Sequence, residues 1–465
     1  INNDNRIEID VQNKFKYVIE IYDIHIDNPS IIDDNRNTKL VMPMECRIRD
    51  ISYMSNVYIT MLEKKCDLVT GNTLEKKVHT RILIAQIPIM LNSCKCNLYN
   101  LSKKQQIDKG ECQFDKGGYF IINGKERVLV AQERINYNTV YTFLQKNTSK
   151  YKFITEIRSM NINTGKSSLI QIKLLKSNNN IVMTIPNVKE DIPIGVVLLA
   201  YDYDLDDLND IVDEEIKQRI LYNINIKTKE EAYDYIINSS VQIISDEKQD
   251  DYVNELLYEN MFQHITDNNE YKNIEYILYM LSTHIKVIKG DIEVNDRDHI
   301  SNKRCEVAGI LVHDLFRNLW KRYLKNLELN LIKRQDIILV LSRTNSISQG
   351  IRQCFSTGNW SIFKNTYVRT GVSQVLNRLT YSSMLSHLKR LVIPVGKEGK
   401  NTKIRQIHSS QYGFVCPCET PEGHSAGIVK NFSLLTIMSN NIDNDLVMLC
   451  INKLLEECIE GKTKI

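Results

Sequence analysis

One short stretch constrains the fold more than any other part of this sequence. Residues 119–130 read YFIINGKERVLV, two runs of strand-forming residues on either side of Asn123 and Gly124. Asn-Gly is the pair favoured in two-residue turns whose residues both need a positive φ. The stretch therefore predicts a β-hairpin, and with it antiparallel β-structure in the first third of the chain.

A second β-rich region lies at residues 152–188. Its strand-like runs, at 153–157, 169–175 and 181–185, are separated by turn-forming Asn, Ser, Thr and Gly residues. This spacing is typical of an antiparallel meander. We expect the region to form an antiparallel unit of its own.

Helical periodicity appears in the second half of the chain, at residues 251–286 and 306–331. In the later stretch an apolar residue recurs every four positions, as on the buried stripe of a helix, at Leu311, Leu315, Leu319 and Tyr323. At about 150 residues per domain, 465 residues suffice for about three domains. The predicted fold class is therefore α+β, in more than one domain.

The distribution of charge is more informative than its total. The chain has 60 Lys and Arg and 57 Asp and Glu, a formal net charge of +3, which by itself suggests no nucleic-acid partner. Residues 341–410, however, hold eleven basic residues and a single acid, Glu398. These bases alternate with Gln, Asn, Trp, Tyr and His, which suit phosphate, sugar and base contacts. The pattern favours nucleic-acid binding over a chance excess of bases or a surface for an acidic protein.

Two loops in and after this basic stretch are candidate functional elements. Residues 396–400 (GKEGK) are basic, but they lack the spacing and the following Ser or Thr of a nucleotide-binding P-loop. Residues 416–427 (CPCETPEGHSAG) predict a rigid turn that holds Glu419 and Glu422 beside the bases. These carboxylates could bind a metal ion, steer a nucleotide through a Lys or Arg, or cap a helix, and the residues alone favour capping.

Two acidic segments are assigned no chemistry. Residues 201–216 carry eight acids and no base, but they lack the spacing and central glycine of a calcium loop, which favours a solvated surface. The stretch Asp296-Arg297-Asp298-His299 predicts a salt-bridged loop in preference to a metal site.

The cysteines and the apolar runs bear on the environment of the chain. Eleven scattered cysteines, an odd number in a long chain, predict free thiols in a reducing, intracellular compartment. Their closest pairs have C-x-C spacing, unlike a zinc site, so no metal ligands are assigned. No apolar run approaches the roughly 20 residues of a membrane span. The chain starts at Ile1 without a signal sequence, and we expect it to begin inside a longer product.

Six stretches of the sequence, taken together, resemble one protein family. They are residues 117–134 (GGYFIINGKERVLVAQER), 296–299 (DRDH), 357–360 (TGNW), 371–378 (GVSQVLNR), 381–390 (YSSMLSHLKR) and 416–431 (CPCETPEGHSAGIVKN). In this order, over about residues 12–435, they are similar to the second-largest, β-type subunit of multisubunit DNA-directed RNA polymerases. The similarity is to the branch of eukaryotes, archaea and large DNA viruses.

The resemblance implies an architecture of interrupted domains. A first protrusion segment at residues 1–137 is followed by an inserted lobe at 138–303 and a second protrusion segment at 304–355. A fork at 356–435 and the start of an external region at 436–465 complete the chain. The helical stretch after His299 would thus rejoin the first domain.

The resemblance also implies which residues contact nucleic acid. Residues 366–372 and 394–400 correspond to two fork loops, which in the family border the RNA–DNA hybrid and the downstream edge of the transcription bubble. The implied contacts are Lys125, Arg127, Gln374, Arg378, Lys389, Arg390, Lys397, Lys400 and Arg405. Arg and Lys would hold phosphates, and Gln374 sugar or backbone oxygens. Glu419 would lie at the periphery of the active centre, on the incoming-nucleotide side, and position basic partners.

The implied function is template-dependent RNA synthesis from ribonucleoside triphosphates. In the family, Mg²⁺ is bound mainly by the largest subunit, and the zinc site lies outside this stretch. The implied partners are that largest subunit, smaller subunits, template DNA and the RNA–DNA hybrid, without a membrane, in a nucleus or, for a viral protein, in host cytoplasm or a virion. The second half of the family is not recognisable, so this chain, a fragment or a split subunit, is not expected to polymerise alone. The alternatives are a stand-alone nucleic-acid-binding module and a carboxylate-based nuclease or hydrolase.

Overall fold

The computed structural model describes residues 6–11, 15–32, 38–67, 73–204, 217, 220, 226, 228–240, 249–265, 270–334, 341, 345–360, 369–396, 402–439 and 444–459. The strands, in chain order, are β1 (Arg6–Val11), β2 (Phe15–Ile26), β3 (Ser30–Ile32), β4 (Thr38–Leu40), β5 (Met54–Asp67), β6 (Thr73–Pro88), β7 (Phe120–Ile122), β8 (Lys125–Leu129), β9 (Ala131–Ile135), β10 (Tyr141–Leu144), β11 (Tyr151–Met160), β12 (Ser167–Leu175), β13 (Ile181–Thr184), β14 (Ile192–Pro193), β15 (Lys303–Glu306), β16 (Ser373–Val375), β17 (Arg390–Val392) and β18 (Val429–Asn431). The helices are α1 (Pro43–Ile48), α2 (Lys103–Asp108), α3 (Ile194–Ala200), α4 (Lys229–Asn238), α5 (Gln249–Asn254), α6 (Glu270–Lys289), α7 (Ala308–Arg334), α8 (Ser346–Thr357), α9 (Tyr381–Leu388) and α10 (Asn444–Ile459).

The hairpin predicted around Asn123 and Gly124 is confirmed. β7 and β8 pair antiparallel with Ile122 opposite Lys125. The two turn residues have φ values of 50° and 70°. Positive φ at both positions is what a type I′ turn requires, and Asn-Gly adopts it at little cost.

The first large sheet packs against helices that come much later in the chain. It is antiparallel, in the order β1-β2-β5-β6. The predicted apolar stripe of α7 faces its core and is at most 2% exposed at Leu311, Leu315, Leu319 and Tyr323. α8 contributes to the same core. α7 and α8 thus belong with the first sheet.

One predicted boundary of this helical region is wrong. The helix was expected from residue 306, but residues 303–306 form β15, which pairs antiparallel with β9, and α7 begins at Ala308. The buried side chain of Glu306 pairs with Arg134 and Arg369. These partners lie far away in the sequence, and the local helical pattern could not reveal them.

The predicted meander is confirmed, whereas the first predicted helix is not continuous. Strands β10 to β14 form a five-stranded antiparallel sheet in sequence order, with α3 to α6 covering its core. The helix expected over 251–286 is interrupted, because α5 continues only as a π-helical turn, Glu255–Asn260, and α6 begins at Glu270. Between them Met261 and Phe262 are buried, and Ser168 donates a hydrogen bond to the Met261 carbonyl. The chain therefore enters the core at this point.

Two small sheets join parts of the chain that are far apart. One has the order β16-β8-β7, and the other the order β15-β9-β17-β18, in which β17 runs parallel to β9. The region after residue 371 is thus built directly onto the hairpin and the strand that follows it.

Three further sequence features are the acidic segment at 201–216, the cysteines and the apolar runs. The acidic segment 201–216 lies outside the described residues from position 205 onward. Each of the ten cysteines whose side chains the structure describes is a free thiol, as predicted. None of the helices in the described ranges combines the length and hydrophobicity that a bilayer crossing needs.

Candidate nucleic-acid interface

Predicted contacts from two distant parts of the sequence lie on adjacent strands. Lys125 and Arg127 belong to β8, and Gln374 belongs to β16, which pairs with β8 so that Gln374 faces Val128 and Val375 faces Arg127. Lys125 is exposed. Arg127 is half-buried, and its Nε has no hydrogen-bond partner among the described residues. Strand pairing therefore brings these three candidates to one small sheet.

Gln374 is held in one orientation by two hydrogen bonds. Its Nε2 donates to the Gly371 carbonyl at 2.9 Å, and its Oε1 lies 3.0 Å from Nε2 of His387. The backbone N–H of Asn377 donates to Nδ1 of His387, so Nε2 carries the proton and donates to Gln374. Burial, and then the charge of Arg390, lower the pKa of His387 to about 4. The imidazole is therefore neutral at pH 7.

Arg378 is bound within the chain. Its Nε and Nη2 donate to the two carboxylate oxygens of Glu126 at 2.6 and 2.8 Å. Nη2 also lies 2.9 Å from Oδ2 of Asp115 and 2.7 Å from the hydroxyl of Tyr119. Two parallel bonds to one carboxylate are among the strongest hydrogen-bonded geometries that arginine forms. The guanidinium of Arg378 thus faces acids from a segment more than 250 positions earlier.

Arg47 completes this arrangement from α1. It donates to Oε1 of Glu126 at 2.8 Å, to both oxygens of Glu111 at 2.8 and 2.9 Å, and to the hydroxyl of Tyr119 at 2.9 Å. Two guanidinium groups and three carboxylates therefore meet around one tyrosine. We call this group the Arg378 cluster, formed by Arg47, Glu111, Asp115, Tyr119, Glu126 and Arg378.

The carboxylates of the cluster are stabilised in their charged form. Burial opposes ionisation of Glu126, but the hydrogen bond and charge of Arg378, together with Arg47, outweigh it and hold the pKa of Glu126 below its usual value. Burial likewise opposes ionisation of Asp115, and the Gly117 N–H, Arg378 and Tyr119 lower its pKa overall. Both groups are therefore charged at neutral pH.

Lys389 and Arg390 follow α9 directly. The Nζ of Lys389 donates to the carbonyls of Leu434 and Ser433 at 2.6 and 3.2 Å, which ties the end of α9 to that later segment. Arg390 begins β17 and is half-buried, and its Nε has no partner in the described part of the chain. The two adjacent bases thus have different surroundings.

Arg405 clamps the loop at 416–427. Its Nη1 donates to the carbonyls of His424 and Ala426 at 2.8 and 2.9 Å. Gly427 has a φ of +72°, and a Cβ there would lie 2.2 Å from the carbonyl oxygen of Arg405. This close approach supports the predicted rigid turn.

Glu419 in the same loop contacts α9. Its carboxylate accepts a hydrogen bond from the Ser386 hydroxyl. Glu422 precedes the short 3₁₀ helix Gly423–Ser425 but makes no side-chain capping bond. Among the described residues neither carboxylate makes a side-chain bond that caps a helix, so the side-chain capping favoured by the residues alone is not found there. A cavity of about 570 Å³ opens beside Glu419, Ser386 and Lys389.

The loop at 296–299 is salt-bridged, as predicted. Asp296 lies 2.8 Å from Nε2 of His408, and Arg297 lies 2.8 Å from Glu156. The backbone N–H of Ile300 donates to the Ser410 hydroxyl at 3.0 Å. This loop therefore holds the segment that follows the second fork-like loop.

Acids outside the basic stretch neutralise part of its charge. Arg369 pairs with Glu306 at 2.5 Å, and Arg378 pairs with Glu126. The two members of the first pair are 63 positions apart and those of the second are 252 apart, and no sequence signal marks either pairing. Glu126 and His387 were missed as site residues for this reason, although both lie inside the stretches that carry the resemblance.

Some predicted site residues lie outside the described residues. They are Lys397 and Lys400, together with residues 366–368 and 397–400 of the two fork-like loops. Within the described ranges, no group of three or more His, Cys, Asp or Glu side chains is arranged to hold a metal ion.

Two family models match this chain. One, described as RNA polymerase beta subunit, matches residues 1–349, and the other, described as RNA polymerase Rpb2, domain 3, matches residues 374–437. DNA-directed RNA polymerase II subunit 2 of Arabidopsis thaliana is 33% identical over 459 residues, which cover 91% of this chain and 38% of the relative.

Viral and archaeal proteins show the same similarity. The probable DNA-directed RNA polymerase II subunit RPB2 homolog of Invertebrate iridescent virus 6 is 36% identical over 479 residues, covering 91% of this chain and 39% of its own length. DNA-directed RNA polymerase subunit Rpo2 of Sulfolobus acidocaldarius is 31% identical, with 92% of this chain and 38% of its own length covered. The chain thus spans about two fifths of the length of these relatives.

Proposed function

Because this chain belongs to the RNA polymerase beta subunit family, we propose that it works as part of a DNA-directed RNA polymerase, which synthesises RNA on a DNA template from ribonucleoside triphosphates. One structural observation carries this proposal: the two segments that match the family separately fold into one unit. β16 of the second segment pairs with β8 of the first, and β17 and β18 continue the sheet of β9. The candidate contacts of both segments therefore belong to one small sheet, with Gln374 on the face of Val128 and with Lys125 and Arg127 on the other face.

The proposal includes the family's domain arrangement. It assigns the protrusion to residues 1–137 and 304–355, the lobe to 138–303, the fork to 356–435 and the start of the external region to 436–465. Two packing features support these boundaries. α7 and α8 pack on the sheet β1-β2-β5-β6, as a returning protrusion segment would, and β10 to β14 enclose a separate core with α3 to α6.

In this proposal the surface around β8 and β16 lines the RNA–DNA hybrid. The exposed Lys125 would hold a phosphate, as would the half-buried guanidinium groups of Arg127 and Arg390. The carboxamide of Gln374 keeps one N–H after its bonds to Gly371 and His387, and this donor would reach sugar or backbone oxygens. Electrostatic contacts of this kind are independent of sequence, which suits an enzyme that holds any template.

The other predicted contacts fall into two groups. Lys397 and Lys400 would extend the basic surface in the second fork-like loop. Lys389 and Arg405 bind backbone carbonyls, so part of their role would be to hold the segments of this surface together.

The chemistry of nucleotide addition would lie mainly outside this chain. Glu419 is proposed for the nucleotide side of the active centre, in a positioning role. Two-metal phosphoryl transfer requires carboxylates that hold the metal ions, and by the family's pattern Mg²⁺ would be held mainly by the largest subunit. The proposed partners are that subunit, smaller subunits, template DNA and the hybrid. The proposed location is a nucleus or, for a viral enzyme, host cytoplasm or a virion.

Affinity purification through a tag on this chain tests the proposal. We expect the chain to purify with a largest subunit, and the complex to incorporate ribonucleotides only when DNA template and Mg²⁺ are both present. A solitary protein that binds nucleic acid without synthesis would support a stand-alone binding module instead. Metal-dependent cleavage of nucleic acid by the chain alone would point to a hydrolase.

A further inference from the structure

The Arg378 cluster shows how the proposed nucleic-acid surface is held in place. All three guanidinium nitrogens of Arg378 have acceptors within the chain: Glu126 for Nε and Nη2, and the sulfur of Met384, at 2.8 Å, for Nη1. Its guanidinium carbon also lies 5.0 Å from the ring centroid of Tyr119. Little donor capacity remains for a phosphate.

The charges around Arg378 disfavour a phosphate contact as well. Glu126 and Asp115 both accept hydrogen bonds from it, and both are ionised at neutral pH. A phosphate that approached Arg378 would meet the three carboxylates and two guanidinium groups of the cluster, which together carry a net negative charge. Repulsion between like charges would then offset the attraction.

Arg378 lies between the two elements that orient Gln374. β16, which carries Gln374, precedes it, and α9, which carries His387, follows it. The backbone N–H of Leu376 donates to the carbonyl of Glu126 at 3.0 Å, so Glu126 anchors this turn through both its main chain and its side chain. With the turn fixed, Nε2 of His387 reaches Oε1 of Gln374 at 3.0 Å.

We propose that Arg378 is a positioning residue, whose ion pair with Glu126 fixes the turn between β16 and α9 and so holds Gln374 towards the RNA–DNA hybrid, in place of binding phosphate itself. This inference rests on the function proposed above. It has an unusual consequence: loss of the Glu126 charge weakens binding of a polyanion. An Arg378 that bound phosphate would behave in the opposite way, because removing a nearby carboxylate would strengthen its attraction for phosphate.

The test uses the polymerase complex purified through this chain and a synthetic RNA–DNA hybrid scaffold. The dissociation constant is measured over a series of salt concentrations. Arg378→Lys, Arg378→Gln and Glu126→Gln are each expected to weaken binding about three- to tenfold, the effect of about one hydrogen bond, without changing the salt slope. Lysine keeps the charge of Arg378 but cannot form the bidentate pair.

Two further variants calibrate the measurement. Lys125→Gln, next to Glu126, is expected to lower the salt slope by roughly 0.9, the value for one lost phosphate contact. Arg49→Gln breaks an exposed ion pair with Glu45 on the surface of α1 and is expected to change neither quantity. Thermal unfolding of each complex shows that the variants fold.

A Gln374→Ala background separates positioning from general stabilisation. In that background Arg378→Gln is expected to cause no further loss of affinity. The inference is overturned if the Arg378→Lys complex binds like wild type, or if Glu126→Gln binds more tightly. It is also overturned if Arg378→Gln lowers the salt slope by roughly 0.9, or if Arg378→Gln weakens binding equally in the Gln374→Ala background. A wild-type complex that does not bind the hybrid would contradict the proposed function instead.

Discussion

Lys430 and Glu133, which are 297 positions apart, form an ion pair of 3.0 Å that is almost completely buried. Lys303 approaches the other carboxylate oxygen of Glu133 at 3.4 Å. Lys430 lies on β18 and Glu133 on β9, so the pair joins the two segments that match the family separately. Because either charge would be costly to bury alone, the buried pair links the folding of the two segments.

Removal of Lys430 is expected to destabilise the protein strongly. Lys430→Met leaves the buried Glu133 with the longer contact to Lys303, so we expect a loss larger than that of an exposed pair but smaller than the about 3 to 5 kcal/mol of a buried charge left without a partner. Denaturant unfolding measures the loss. The matched control, Lys77→Met, breaks an exposed pair with Glu75 and is expected to leave the free energy of unfolding nearly unchanged. Equal losses in both variants would contradict the structural role of the buried pair.

Two glycines of the 416–427 loop are expected to respond differently to alanine. Both have positive φ, but a Cβ at position 427 would lie 2.2 Å from the Arg405 carbonyl, whereas a Cβ at position 423 would meet nothing within 4 Å. Gly423→Ala therefore adds only backbone strain of about 1 kcal/mol, and Gly427→Ala must also displace the clamp. Limited proteolysis is expected to cut the loop of Gly427→Ala faster than that of wild type, and the loop of Gly423→Ala at the wild-type rate. Identical cleavage rates in the two variants would show that the clamp does not hold the loop.

The buried His284 predicts how stability depends on pH. Its Nδ1 lies 2.7 Å from the Thr155 hydroxyl, and burial lowers the pKa of His284 to about 4, from the 6.5 of an unperturbed histidine. The unfolded state therefore binds more protons between these values, and stability falls as the pH falls from about 6.5 to about 4.

His284→Asn keeps a polar partner for Thr155 and removes this titration. Between pH 7 and pH 4, its free energy of unfolding is expected to fall by about 3 kcal/mol less than that of wild type. The assignment is wrong if His284→Asn retains the wild-type pH dependence.

Ser386 is expected to act on nucleotide use through Glu419. Its hydroxyl donates to the Glu419 carboxylate, so Ser386→Ala leaves that carboxylate without this constraint. In the purified complex, Ser386→Ala and Glu419→Ala are each expected to raise the KM for ribonucleoside triphosphates about three- to tenfold, and the double variant no further. Ser382→Ala, on the same helix and beside the same cavity, serves as the control. Additive effects of the two substitutions would refute the coupling.

Local signals in the sequence account for part of this fold. The hairpin and the meander were predictable because Asn123-Gly124 and the alternating runs specify turns and strands without distant partners. β15, with the sequence KRCE, was not, because its charged residues form a strand only by pairing with β9. The predicted helix over 251–286 failed for a similar reason, since the burial of Met261 and Phe262 depends on the tertiary core.

The sequence also predicted only part of the candidate site, namely its basic residues but not their acidic partners. The excess of bases at 341–410 was visible in the sequence, but the acids that pair with Arg369 and Arg378 come from other regions. A local charge count therefore overstates the number of bases that are available to nucleic acid. The hydrogen bond from His387 to Gln374 was equally invisible, because it depends on how α9 packs beside β16.

Photo-crosslinking from position 125 tests the central claim most directly. A photoreactive amino acid in place of Lys125, in the complex assembled on an RNA–DNA hybrid scaffold, is predicted to crosslink to the RNA or the template strand. The same group in place of Tyr279, which is 57% exposed on α6, is predicted to crosslink to protein alone. Crosslinks from position 125 to protein only, in a complex that synthesises RNA, would contradict a hybrid-facing surface around β8 and β16.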